Sequence, residues 1–565
     1  MNTLAEPRGS TARFGVGRTA LMTFLAIAIA LKIGFLFLFA WRSRFVMDEF
    51  VQLGWAKYLG NGLFDTIWHA KAVGYVVFYK IAHIIGWDAT SILLIGRLQT
   101  ALLACATLAI VYGSARALGH DRIRSLAIIL VLLCFSNFIE RSFRTIAEPL
   151  AVFFAAAALL VLLRGRPDRA TTVITTGILS GLSFLVTQKA LYFDVALGVA
   201  LITDAALTRR YRAGIVRAAW LFLGWSLPVI AYCFIFGGGD PARVAMHLAF
   251  GPLEVATTGA NAYANLRQYV WQTLARNLIL YIFCVGGMIL ELLRIGKLDE
   301  RRRIALIFTI VVATFVFAHN QPWPYVFIMA LPFMALWSLT LLDRLRDNPA
   351  HLRLAGIALM TAVAVSLASN VRYLSRDNAA QFDLIARAEA LVAPDERYFD
   401  GIGMLPNRQE PSTLWLDRRM VQATLREGRR SEAYQLLTRS PPKIILWSYR
   451  MDDIWSIVAP AIQDSYVAIG PNLRIAGRQL YNGKPATFIV PIAGEYELYD
   501  VAGRPVTAQV EVNGLTVTPP IRLPRGTTTV ILKDRAHALL LPRGSYRGKL
   551  RRGPDNPLLF ANVYD

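Results

Sequence analysis

The sequence predicts a mainly α protein: a polytopic membrane helical bundle of about eleven spans, followed by an α/β plus β-sandwich region outside the membrane. Three observations predict it. The 565 residues are 55% hydrophobic and only 17% charged, too little polar surface to cover a soluble chain of this size. Apolar runs approaching the ~20 residues that cross a bilayer as a helix recur between Thr19 and Asn370. The formal charge of +22 sits in short arginine-rich segments between those runs rather than on one basic face, which fits membrane topology and excludes nucleic acid as a partner.

Residues 1–18 read as a cytoplasmic N-terminal segment, with Arg8, Arg13 and Arg18 ahead of the first run. No small-residue cleavage pattern follows that run, so it is expected to be a retained helix rather than a signal peptide. The bundle occupies residues 19–370, with spans expected at 19–41, 91–115, 125–139, 145–163, 171–186, 190–207, 215–236, 272–293, 304–318, 323–342 and 354–370. Alternate loops hold Arg116, Arg122 and Arg124; Arg164, Arg166 and Arg169; Arg209, Arg210, Arg212 and Arg217; Arg294, Lys297 and Arg301 to Arg303; and Arg344, Arg346 and Arg353. By the positive-inside rule these loops are cytoplasmic. An odd number of spans then places everything after Val371 on the far side.

Residues 42–90 form neither a span nor an ordinary loop. Apolar and aromatic residues recur three or four apart over Phe50 to Leu59 and Val73 to Ile85, among Lys57, Lys80 and His83, which predicts interfacial helices. Gly237 to Trp271, opening with Gly-Gly-Gly-Asp-Pro, reads as a long mobile lid. Residues 371–480 read as a small α/β module, with helices over Asp377 to Val392 and Arg419 to Arg439 and strands at Arg397 to Asp400 and Lys443 to Trp447. Residues 481–565 read as a β-sandwich-like module: from Thr487 onward the period becomes two, and Asn513-Gly514 between short apolar strands predicts a hairpin. All four cysteines fall within apolar runs and read as packing residues.

Under this topology the polar residues that are costly near a membrane face one compartment. Asp48 and Glu49 follow the first span; Arg141, Arg144 and Glu148 bracket the third and fourth; Gln188 and Lys189 separate the fifth and sixth; His319, Asn320 and Gln321 separate the ninth and tenth. Taken singly, an Asp-Glu pair is a solvated helix cap, Arg144 and Glu148 an ion pair four residues apart, Lys189 a span boundary and His319 a cap. Together on one face, with Lys71 nearby, they are the mix that holds an anionic lipid-linked substrate while a carboxylate deprotonates a hydroxyl acceptor. No Ser-His-Asp set, zinc-spaced Cys/His cluster or P-loop stands out.

Several segments occur in a characteristic order: Met47-Asp48-Glu49-Phe50 with Gln52 and Ala56; His69-Ala70-Lys71-Ala72-Val73-Gly74-Tyr75; Gly96-Arg97-Leu98-Gln99 leading to Tyr112 and Arg116; Arg144 to Pro149; Gly181 to Phe184 before Gln188-Lys189; and His319-Asn320 through Tyr325 to Pro332. Over Thr19 to Leu342 this order resembles the GT-C class of polyprenyl-phosphate-sugar-dependent glycosyltransferases, especially bacterial relatives of the protein O-mannosyltransferases and of the lipid A aminoarabinose transferase. Ala72 and Val73 stand where that family often has prolines. The resemblance implies Asp48 as general base or acceptor-orienting carboxylate, with Glu49 as its support or as partner in a site for a divalent metal ion, Mg or Mn. It implies Lys71, Arg144, Lys189 and His319 for the donor phosphate, with His69, Glu148, Gln188 and Asn320 in support and Glu148 orienting Arg144.

The function expected is that of a bacterial inner-membrane glycosyltransferase. It would move one sugar, hexosyl or pentosyl, from a polyprenyl-phosphate donor to a periplasmic-side acceptor with inversion. The acceptor class (lipid, lipopolysaccharide, polysaccharide or protein) stays open. A transporter or flippase of a lipid-linked anion is the rival; it should show paired halves or helices broken near mid-membrane, and the sequence shows neither. In a membrane-anchored assembly protein the Asp-Glu and Arg-Glu groups would have no purpose. In the glycosyltransferase the outer modules would bind glycan or position the acceptor, or else act as a stabilising or partner-binding appendage.

Overall fold

The structure, a computed structural model, describes residues 11–60, 72–237, 239–258, 266–412, 430–546, 551 and 553–560. The chain divides into two units. One comprises Met1–Ser43, His69–Phe78 and Arg97–Arg376, the other Arg44–Trp68, Tyr79–Gly96 and Asp377–Asp565.

The first unit is helical. Six helices among the described residues are long and apolar enough to cross a membrane: Arg18–Arg42, Ala89–Ala117, Ala147–Arg164, Gln188–Leu207, Tyr211–Phe236 and Pro349–Ser375. The pair Gln268–Arg276 and Leu278–Leu292, bent by 92°, makes a seventh where it counts as one span. The chain is a multi-pass membrane protein. The other expected spans are helical but shorter or divided. Ala170–Val186 has 17 residues. The run 125–139 breaks into Arg122–Cys134 and Ser136–Arg141, because the Ser136 N–H leaves the helical ladder for Asn277 Oδ1 at 2.9 Å. The run 323–342 forms the short pieces Val326–Met329, Leu331–Ala335 and Thr340–Arg344, consistent with Pro324 and Pro332, which lack an N–H to donate.

The segment expected to be a mobile lid contains a helix, Pro241–Thr258. The loop-like Gly-Gly-Gly-Asp-Pro is its start signal: Asp240 Oδ1 accepts the Arg243 N–H at 3.0 Å, and Pro241 occupies the first turn, where no N–H is needed. Residues 259–265 lie outside the described residues. Three other helices begin in the same way, with Asp121, Asp299 and Asn348 accepting the N–H of Arg124, Arg302 and His351.

Helices Ala170–Val186 and Tyr211–Phe236 approach closely because glycines line the crossing. A Cβ on Gly177 would stand 2.3 Å from Leu221 O, one on Gly181 2.6 Å from Trp225 O, and one on Gly224 2.2 Å from Ile174 O. The first and last spans are fastened by Lys32, fully buried, whose Nζ donates to Ser366 Oγ at 2.6 Å. The four cysteines are free; Cys134, Cys233 and Cys284 are buried, as packing residues are.

The second unit is α/β and β. Its first sheet has β1 (Tyr398–Phe399), β2 (Ile444–Leu446), β3 (Tyr466–Gly470) and β4 (Leu473–Ala476) in the order β1-β2-β4-β3. The β1–β2 pairing is parallel and the other two antiparallel. Phe399 and Ile445 share a core with Met451, Ile454 and Val458 of helix Tyr449–Ile462.

After Gly477 come β5 (Arg478–Tyr481), β6 (Pro485–Val490), β7 (Gly494–Tyr499), β8 (Val510–Val512), β9 (Leu515–Val517), β10 (Ile521–Leu523), β11 (Gly526–Leu532) and β12 (His537–Pro542). They make two four-stranded sheets, β10-β7-β12-β5 and β6-β11-β8-β9. Tyr496, Leu498 and Leu540 from one and Phe488, Val510 and Val530 from the other share a single core, which defines a sandwich. Asn513 and Gly514 turn the β8–β9 hairpin with φ of 47° and 91°, as a two-residue primed turn requires.

The first outer segment joins this unit. Helix Met47–Gly54 and the turn Trp55–Tyr58 lie where interfacial helices were expected, and Tyr75–Ile85 is helical as well. Phe50 packs on Phe45 and Phe560, with ring centroids 5.5 and 5.8 Å apart.

Candidate active site

In the helical unit, chain connectivity puts the expected cations at one end. Helices Ala147–Arg164 and Ala170–Val186 pack side by side through a short connection, so the start of the first meets the end of the second. There Lys189 Nζ donates to Glu148 Oε1 at 2.6 Å and lies 4.6 Å from the centre of the Tyr325 ring. Glu148 is buried while the Lys189 side chain keeps 27% of its surface, so the lysine faces outward with one carboxylate behind it. Glu148, expected to orient Arg144, therefore holds Lys189. Gln188 Nε2 reaches Leu248 O at 3.4 Å, and Asn320 is exposed.

Arg144 lies in the turn between Ser136–Arg141 and Ala147–Arg164. Its Nε donates to Glu140 O at 3.2 Å, and its guanidinium carbon is 5.4 Å from the Phe143 ring centre. Arg97, fully buried, stands 5.5 Å from the same ring and donates to Ala40 O at 3.3 Å and Ser43 O at 2.5 Å. It thereby satisfies carbonyls at the end of the first span, where a cation also complements the helix dipole. Beside this group Arg276 donates to Glu140 Oε1 and to the Tyr373 hydroxyl, both at 2.6 Å. An arginine inside the apolar run 272–293 was the available signal for that cluster, and sequence reasoning passed over it. The 92° bend at Asn277 falls at this end too, not between the two ends of the bundle.

His319 follows helix Glu300–Ala318, with Nδ1 at 2.7 Å from the Tyr192 hydroxyl. Burial, then the cations Lys189 and Arg267, push its pKa down to about 4, so at neutral pH it can offer a phosphate an N–H but no charge. In an unfolded chain the imidazole takes a proton near pH 6.5; in the folded protein it does not until about pH 4. As pH falls through that window the unfolded state binds the extra proton, and the group costs stability. His319→Gln is expected to flatten the loss of thermal stability between pH 6.5 and 4, measured by unfolding in detergent, and to leave any activity profile above pH 6.5 unchanged in shape.

His69 and Lys71 lie outside the described residues. The chain just after them is fixed: Val73 N–H donates to the Tyr232 hydroxyl at 3.2 Å and Gly74 N–H to Leu185 O at 2.8 Å. A Cβ on Gly74 would stand 2.6 Å from the carbonyl of Leu185, itself three residues before Gln188, so only glycine fits at position 74.

Asp48 and Glu49 belong to the second unit. Asp48 is half-buried in the first turn of Met47–Gly54, where a carboxylate complements the helix dipole. Glu49 is fully buried, and its Oε1 accepts the Val46 N–H at 3.2 Å, half of a capping box. Glu49 is thus engaged as a cap, while Asp48 stands half-buried beside it. Among the described residues no group of three His, Cys, Asp or Glu side chains could hold a metal ion.

The comparisons with known proteins agree with this architecture. The fold is that of the GT-C glycosyltransferases. ArnT from Cupriavidus metallidurans in the apo state matches with a TM-score of 0.53 at 12% identity, over 81% of this chain and 98% of that one. The same protein bound to undecaprenyl phosphate matches with a TM-score of 0.55 at 13% identity, over 80% and 97%. The archaeal oligosaccharyltransferase AglB from Archaeoglobus fulgidus matches with a TM-score of 0.49 at 12% identity, over 92% and 77%. Residues 422–475 match the family described as "Domain of unknown function (DUF7056)" and residues 478–542 the one described as "Domain of unknown function (DUF7055)". The two matches divide at the joint between β4 and β5. No curated protein matches the chain.

Proposed function

We propose that the protein is a glycosyltransferase that moves one sugar from a polyprenyl-phosphate donor to a hydroxyl acceptor. The observation that carries this reading is a fold shared, over four-fifths of the chain, with a protein whose structure holds undecaprenyl phosphate, in a chain that gathers Arg144 and the outward-facing Lys189 at one bundle end. Arg144 and Lys189, with Lys71, neutralise the donor phosphate, and His319 adds an N–H. The acceptor oxygen attacks the anomeric carbon from the face opposite the phosphate and its proton passes to the Asp48 carboxylate. The bond from the anomeric carbon to the phosphate oxygen breaks, and polyprenyl phosphate leaves with the electron pair, so the configuration inverts. The leaving group is already anionic, so cations serve it better than a general acid would.

The arginine-rich end of the bundle is assigned to the cytoplasm and the second unit to the periplasmic side of a bacterial inner membrane. The acceptor is a lipid, lipopolysaccharide, polysaccharide or protein on that side. Nothing in the reaction as written passes through a metal ion. Deleting the protein and comparing glycolipids and envelope glycans by mass spectrometry is expected to show one sugar missing from one component; unchanged glycans would refute the reading.

A further inference from the structure

The segment that carries Asp48 is gripped at three points by the unit that follows the last span. Ahead of Asp48, the Gln381 amide bonds both backbone groups of Phe45: Oε1 accepts the N–H at 2.7 Å and Nε2 donates to the carbonyl at 3.1 Å. The same Nε2 donates to Leu559 O at 2.8 Å, and Gln381 is buried, so its amide has little freedom to turn. Directly beside Asp48, the Met47 thioether receives the Tyr449 hydroxyl at 2.9 Å and an Arg450 N–H at 2.8 Å.

Beyond the helix, Lys57 Nζ meets Glu410 at 2.8 Å and Arg408 O at 2.5 Å, while the Tyr58 and Tyr398 hydroxyls donate to Glu410 at 3.0 and 2.9 Å. Burial, followed by the Glu410 carboxylate, raises both tyrosine pKa values, so both stay protonated donors. Each grip uses a buried or nearly buried polar group, the kind that has few alternative partners.

The Arg450 end is itself built to be rigid. The Asp400 carboxylate accepts the N–H groups of Ile402, Gly403 and Met404 within 2.8 Å, and Ser448 Oγ donates to Asp400 O at 2.8 Å. Gly401, at φ 71°, gives way to Arg450: a Cβ there would stand 2.6 Å from Arg450 Cγ. The loop, the start of helix Tyr449–Ile462 and Met47 form one packed body.

We propose that residues 377–565 are not an appendage but the holder of the Asp48 segment, with Gln381, Tyr449 and Arg450 as positioning residues. The functional consequence rests on Asp48 being the base proposed above; the mechanical claim does not. A displacement of about 1 Å at a reacting group can cost 10²-fold in rate. Gln381→Ala and Arg450→Met are therefore expected to lower kcat about 10- to 100-fold, with the KM for the lipid-linked donor essentially unchanged. Gln381→Glu, which keeps the acceptor for Phe45 N–H, should recover part of the loss.

The deciding measurement needs no activity. A spin label on Asp48→Cys in the full chain is expected to be immobilised, and to become mobile when Gln381→Ala or Arg450→Met is added to a protein that still elutes and unfolds as a folded species. Tyr449→Phe, which keeps the ring, serves as the variant least able to disturb folding and should loosen the label to a smaller degree. An immobile label with unchanged kcat in all three would overturn the inference. A mobile label with full transfer by Asp48→Asn would instead leave the holder standing and remove Asp48 as the base.

Discussion

Replacing Asp48 by Asn is expected to abolish sugar transfer in a protein that inserts and folds as before. The amide has nearly the same shape, and neighbours hold the start of the helix: Glu49 caps Val46, while Gln381 and Arg450 hold Phe45 and Met47. Losing the favourable charge at the helix N-terminus costs about 0.3–1 kcal/mol. The chemical loss is the proton acceptor, and general-base assistance contributes about 10²–10⁴ in rate.

Glu49→Gln is the informative contrast. Its amide oxygen can still accept the Val46 N–H, so the cap survives, and transfer should persist at a substantial fraction of the normal rate. Assayed with a polyprenyl-phosphate-linked sugar, neighbouring carboxylates should separate into one that reacts and one that builds. Equal losses at both positions would contradict the division of labour read from their burial, and normal transfer by Asp48→Asn would remove the proposed base.

The resemblance implied Asp48 as base with Glu49 as its support, but what Glu49 does was not legible in the sequence, where Asp48-Glu49 is simply two carboxylates at a helix start. The register decides it: Glu49 falls at the third helical position, from which a side chain reaches back to the cap. The features that were legible are local. Apolar runs gave the bundle, the order Arg144, Glu148, Lys189 and His319 gave one end of it, and Asn513-Gly514 gave the hairpin. Asp240-Pro241 was equally local but was hidden by the glycines before it, which read as a loop. The partners of Lys189 needed tertiary contact to see, since Glu148 and Tyr325 are 41 and 136 residues away. Gln381 and Arg450 lie more than 300 residues from the residues they hold, in a region whose pattern announces only a soluble module. No periodicity reports such a contact, because neither residue type nor spacing is special where each stands.

The other large effect expected is at the opposite end of the bundle, where Asp204 joins three helices. Its Oδ2 accepts from Arg217 at 3.2 Å and its Oδ1 from Arg303 at 2.7 Å, while Arg217 also reaches Glu300 at 2.6 Å and Asp168. The Arg217 and Asp204 side chains retain only 4% and 2% of their surface. Deleting one member of a buried pair strands the other charge, at about 3–5 kcal/mol, whereas replacing the group by apolar side chains of similar volume is often neutral or better. Asp204→Ala is thus expected to destabilise the bundle by about that amount, seen as early unfolding in detergent, and adding Arg217→Met should restore part of the loss rather than add to it. The more accessible, half-buried pair Arg124–Asp343 at the same end, with side chains 33% and 36% accessible, is the control: Asp343→Ala should cost about 0–1 kcal/mol and lose much of even that in high salt. Additive losses for Asp204→Ala and Arg217→Met would mean that the two residues act independently. Arg217 and Arg303 would then not lock the three helix ends together.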